Sequence, residues 1–104
     1  MKFYKNLYVG ETIKNPNKVK WKLRLNALQP NLYVIALAGG NDQLEIYHCV
    51  FLRQKYYKKY PPYIIGISKG YEEAVDIVVR ITQEALEQNG SPDIKKFLFS
   101  QKND

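Results

Sequence analysis

One cysteine, one histidine and one tryptophan in 104 residues is a sparse set, and each scarcity removes a class of chemistry. Cys49 has no second cysteine to form an internal disulfide, and there is no Cys pair at metal-ligand spacing. With His48 as the lone imidazole, no His- or Cys-rich metal centre can be assembled. His48 and Cys49 are adjacent, but neighbours on a strand point to opposite faces, which separates a would-be base from its nucleophile. No Gly-x-x-x-x-Gly-Lys-Ser/Thr phosphate loop occurs. Long apolar runs are also missing: Leu32–Ala38 is the longest, well short of the ~20 residues of a membrane-spanning helix. The opening Met1-Lys2-Phe3-Tyr4-Lys5-Asn6 lacks the apolar core of a secretory signal. These absences lead us to expect a cytoplasmic protein, not an enzyme, with no catalytic residue, cofactor, metal or membrane partner.

Acidic residues are scarce over most of the chain. Residues 1–69 hold twelve Lys/Arg against three acids, Glu11, Asp42 and Glu45, whereas residues 70–104 hold four against seven. The net +6 is therefore a strongly basic majority joined to an acidic end. Such a polar molecule steers anions to one end or pairs with a second copy of itself.

What is present is apolar and aromatic content, 45% hydrophobic with 13% aromatic, too much for a disordered chain and enough for one core. The expected fold class is α+β: one domain over 1–104, with flexible ends at about 1–4 and 100–104. Leu32–Ala38 and Leu44–Leu52, separated by Gly39-Gly40-Asn41-Asp42, read as a β-hairpin. On the second run, Leu44, Ile46, His48, Val50 and Leu52 alternate with Glu45, Tyr47, Cys49, Phe51 and Arg53. Arg53–Pro62 reads as a basic, Tyr-rich connection closed by Pro61-Pro62. Tyr63–Ile67 is a third strand. A long helix follows over about Tyr71 to Asn89, with Ala74, Ile77, Val78, Ile81 and Ala85 as its apolar stripe and Gly90 as its stop. Ser91-Pro92-Asp93 starts a short final helix through about Phe99.

Residues 18–27 leave two readings open. Val19, Trp21, Leu23, Leu25 and Ala27 alternate as in a strand. Asn15-Pro16 is a helix start, Leu28–Asn31 a stop, and Lys, Leu and Arg are good helix formers, which favours a helix. Leu7-Tyr8-Val9 adds a fourth strand if it pairs at the edge. The resulting expectation is a two-layer domain with a mainly antiparallel sheet of three strands, or four with that edge. Its element order is α-β-β-β-α, plus a short C-terminal helix.

The segments Leu44-Glu45-Ile46-Tyr47 and Ile64–Ala74, with Leu7–Glu11, resemble a family of short uncharacterised proteins, found mainly in anaerobic Gram-positive bacteria. The likeness spans most of the chain. It implies one cytoplasmic domain and a helix at Pro16–Asn26, and it supplies no active site. A second resemblance, in topology, is to double-stranded-RNA-binding domains, and Gly66-Ile67-Ser68-Lys69 is similar to the approach to that family's second helix. That family places a lysine cluster at the helix start. Here Gly70, Tyr71, Glu72 and Glu73 stand there, so the resemblance implies fold more than activity.

Three segments carry candidate function. Ser68, Lys69 and Gly70 offer the ingredients of an anion site at a helix start, but Glu72 and Glu73 already complement the dipole there, and the turn reads as a cap. Tyr56-Tyr57-Lys58-Lys59 with Arg53 and Lys55 combines rings that stack on bases with cations that neutralise phosphates. Lys18, Lys20, Lys22 and Arg24 extend this to one basic face of residues 14–24 and 53–59 if the fold unites them. The same tyrosines and lysines also serve as an ordered, solvated loop. Trp21 is either core, at helical spacing with Leu25 and Leu28, or the anchor of an interaction surface with Tyr47, Phe51 and Tyr60. The expected role is a non-enzymatic interaction domain with a protein partner or a second copy of itself. RNA or DNA binding is the alternative.

Overall fold

The computed structural model describes residues 2–37, 44–91 and 93–101, with no account of the side chains of 100 and 101. Strands β1 (Lys2–Val9), β2 (Leu32–Leu37), β3 (Leu44–His48) and β4 (Tyr63–Lys69) form one mixed sheet, in the order β1-β4-β2-β3. β2 pairs antiparallel with both β3 and β4, while β1 lies parallel to β4 at one edge. The helices are α1 (Pro16–Arg24), α2 (Lys55–Lys59), α3 (Tyr71–Asn89) and α4 (Ile94–Gln101), and a 3-10 helix, Cys49–Arg53, precedes α2. The α+β class holds, but the order is β-α-β-β-α-β-α-α rather than α-β-β-β-α.

The expected two layers are in fact three, because β4 is apolar on both sides. Ile64 to Ser68 are all buried, the pattern of a central strand covered on both faces. One face, through Tyr4, Ile35 and Ile65, packs on Ala74, Ile77, Ile81 and Ala85 of α3 and Ile94, Phe97 and Leu98 of α4. The opposite face, through Val34, Ala36, Ile64 and Ile67, packs on Leu23 of α1, Cys49 and Leu52 of the 3-10 helix, and Tyr57 of α2.

Local chemistry sets the helix ends. The Asn15 side chain accepts from the Lys18 N–H (3.1 Å) and Pro16 follows it, so residues 18–24 are helical despite their strand-like alternation. The helix stops earlier than the Leu28–Asn31 signal: Asn26 takes a left-handed φ of 57°, and the Ala27 N–H returns to the Lys22 carbonyl at 3.0 Å. α3 runs over the expected residues and ends at Gly90, also left-handed with φ 72°. Asp93 caps α4 by accepting from the Lys96 N–H at 3.0 Å.

Two further expectations are corrected. Lys2–Tyr4, expected to be a flexible end, belong to β1, and Tyr4 is buried with its hydroxyl donating to the Leu98 carbonyl at 3.0 Å. The strand expected over Leu44–Leu52 ends at His48, whose Nδ1 accepts from the Val50 N–H (3.1 Å) and turns the chain into the 3-10 helix. Val50 therefore faces solvent, while Cys49 and Leu52 enter the core opposite α3. The loop Gly39–Asp42 and residues 102–104 lie outside the described residues.

Candidate nucleic-acid interface

α1, the 3-10 helix and α2 share one face of the sheet, so two basic segments about thirty residues apart in sequence stand on the same layer. They bring Lys14, Lys18, Lys20, Lys22, Arg24, Arg53, Lys55, Lys58 and Lys59, and no acid lies in 12–37 or 46–71 to offset them. Lys18, Arg24, Arg53, Lys55, Lys58 and Lys59 are exposed, and Lys20 and Lys22 half-buried. The Lys20 ammonium and the Arg24 guanidinium lie over the Phe3 ring, 5.4 and 4.8 Å from its centroid, so cation–π contact holds both charges against β1. The connection at α1's end is tied to the 3-10 helix: the Cys49 thiol donates to the Gln29 carbonyl (3.2 Å), and His48 Nε2 bonds the Pro30 carbonyl. Since Nδ1 already accepts an N–H, the His48 proton sits on Nε2 as the donor.

The tyrosines divide by role. Tyr57 is half-buried and packs on Tyr47 of β3, ring centroids 5.5 Å apart, which seats α2 on the sheet. Tyr56 and Tyr60 are exposed, 5.3 Å apart, and Lys59 lies over the Tyr60 ring at 5.6 Å. These rings border a cleft of about 610 Å³ whose walls also include Pro61, Pro62, Tyr63, Lys95 and Phe99, together with one carboxylate, Glu45 of β3. Trp21 and Phe51 are exposed elsewhere on the layer. The structure thus brings Tyr47 and Tyr60 to one cleft and places Trp21 on α1, outside its walls. Lys95 and Phe99 carried no signal in sequence, because α4 reaches the cleft only through the packing of the opposite layer.

The strand-to-helix turn is committed to structure. β1 and β4 run parallel, yet lead to helices on opposite faces, and a cleft of about 680 Å³ opens at their C-terminal ends. Open α/β sheets hold ligands at such switch points. Here the Glu73 carboxylate accepts from the Lys69 N–H (2.8 Å), the Thr12 N–H (3.3 Å) and the Thr12 hydroxyl (2.9 Å). Those donors are used, and with Glu73 the acids Glu11, Glu72 and Asp76 outnumber Lys69 and Arg80 in the lining, which disfavours an anion. A third cleft, about 480 Å³, is lined by Tyr4, Tyr8, Glu84 and Glu87. In it the Tyr8 hydroxyl donates to Glu84 at 2.6 Å, and burial, reinforced by that carboxylate, pushes the Tyr8 pKa up.

His48 and Cys49 do not form a dyad. His48 stacks edge-on to Tyr33 on the α3 side, whereas Cys49 is buried on the other, where desolvation raises its thiol pKa. Among the described residues no three His, Cys, Asp or Glu side chains are grouped to share a metal ion, and no helix is long and apolar enough to cross a membrane. The chain matches no protein-family model, curated protein or solved structure.

Proposed function

We propose that the chain is a non-enzymatic binding domain whose ligand is single-stranded RNA or DNA, held on the layer formed by α1, the 3-10 helix and α2. What supports the reading is that the elements carrying nine Lys/Arg from two distant segments cover the same side of the sheet, with no acid on those segments and with exposed aromatic rings among them. Arg53, Lys55, Lys58, Lys59, Lys18 and Arg24 neutralise phosphates, and Tyr56 and Tyr60 present ring faces on which unpaired bases stack. Stacking is what favours a single strand, since a duplex keeps its bases within the helix. The acidic outer surface of α3 repels the same ligand, which orients it.

Fluorescence anisotropy with a labelled single-stranded oligonucleotide, titrated from 50 to 200 mM salt, tests the reading. A linear log–log fall with a slope of about −0.7 per phosphate contact is expected. Lys58→Glu combined with Lys59→Glu should weaken binding at least about tenfold, and Tyr56→Ala should cost about 1–2 kcal/mol through lost stacking. Absence of binding at low salt overturns the proposal and leaves a protein ligand for this face. Equal affinity for a duplex overturns the single-strand assignment.

A further inference from the structure

We infer that the outer face of α1 docks on the outer face of α3 of a second copy of the chain, in a head-to-tail contact. The inference does not depend on nucleic-acid binding. α1 turns Trp21 (62% exposed) and Leu25 (59%) to solvent one turn apart, and Leu28 (60%) follows just past its end. Isolated exposed apolar residues are ordinary; a tryptophan on a helix already stabilised by a buried Leu23, joined by the leucine that caps the helix and a second just beyond it, is an unpartnered face. Its border is cationic, with Lys18, Lys22 and Arg24 on the same short helix and no acid.

α3 carries the counterpart. Val75, Val79 and Leu86 are 36%, 49% and 44% exposed and fall on one stripe, at spacings of four and seven residues. Glu72, Asp76 and Glu87 run along one flank of that stripe, and Arg80, the one cation among them, is paired with Glu84 at 3.5 Å, which leaves the flank net acidic. An apolar patch edged by cations thus exists in the same molecule as an apolar stripe edged by carboxylates. The two lie on opposite layers of the sheet, so one copy cannot join them, whereas two copies can. Charge selects this pairing over the symmetric ones: two α3 faces would oppose their carboxylates, and two α1 faces their lysines. A contact that uses different patches on the two partners leaves one free patch of each kind, so it propagates into a ring or an open chain. Two short helix faces make a small interface, below about 1,200 Å², and therefore a transient one.

Trp21 is the only tryptophan, so its fluorescence reports the contact directly. Raising protein concentration at low salt should shift Trp21 emission to the blue while sedimentation velocity shows species larger than the monomer, and added salt should reverse both. Trp21→Glu and Val79→Arg each alter one face at an exposed position, and each should sediment as monomer with an unchanged thermal melt. In Val79→Arg the blue shift should vanish although the tryptophan is untouched. Mixed at equal concentration, the two variants supply one intact face each and should form a heterodimer that grows no further. The inference is overturned if the wild type stays monomeric at every concentration. It is equally overturned if Val79→Arg associates like the wild type, or if the mixture remains monomeric.

Discussion

Removing the Glu73 carboxylate should unlatch the β1–α1 turn from the start of α3 and destabilise the fold by about 2 kcal/mol. The figure combines two losses. Freeing the Lys69 N–H, one residue before the Gly70 cap, removes a bond to a charged acceptor at the entry to α3, worth about 1 kcal/mol. Freeing the Thr12 N–H and hydroxyl forfeits bonds to a charged acceptor, reduced by their solvent exposure to about 1 kcal/mol together. For a domain of this size, 2 kcal/mol corresponds to a fall in Tm of about 8–16 °C. Gly10 supplies an internal check. It is buried against Glu73, and a Cβ at that position would run into the carboxylate, so Gly10→Ala must displace Glu73 and lose the same bonds. In a Glu73→Ala background the obstruction is gone and Gly10→Ala should cost little. Thermal and urea unfolding of the two single variants and the double variant give the cycle. The double variant should lose about 2 kcal/mol rather than the additive 4. Additive costs, or a Tm fall below about 3 °C for Glu73→Ala, would refute the latch.

Two more outcomes follow from the α3 face of the sheet. The Tyr8 pKa is raised above 10 in the folded state, chiefly by burial and then by the Glu84 carboxylate, so its contribution is complete below pH 10 and is lost as pH rises beyond it. Urea unfolding between pH 9 and 11 should show stability falling less steeply for Tyr8→Phe than for the wild type, and equal slopes would contradict the assignment. Leu98→Ala empties a fully buried position on α4 and should cost about 3 kcal/mol, whereas exposed Leu86→Ala should stay within about 0.5. Similar losses at both sites would refute the burial of Leu98 under the sheet.

α3 was legible residue by residue, because a glycine at each end, two glutamates in the first turn and a four-fold apolar repeat are all local signals. α1 was legible through Asn15-Pro16, although the residues after it alternate like a strand. The end of β3 was not: His48 folds back on the Val50 N–H and bonds the Pro30 carbonyl eighteen residues earlier, a long-range contact that leaves no periodicity. β1 was half visible, as Leu7-Tyr8-Val9, since its parallel partner β4 lies some sixty residues away. The basic candidates were legible as two clusters, but not as one face.

By itself the sequence determined the α+β class, the long amphipathic helix, the paucity of His and Cys chemistry and the segregation of charge into a basic majority and an acidic end. These depend on composition, short-range periodicity and capping residues, which act within a few turns of the chain. Tertiary structure alone decided that β4 is central, that helices cover both faces, and that α1 and α2 share one of them. It also decided that Trp21 faces solvent and that Glu73 occupies the strand-to-helix turn. Each of these is set by which apolar face packs on which, a choice made between segments too distant in the chain to mark one another.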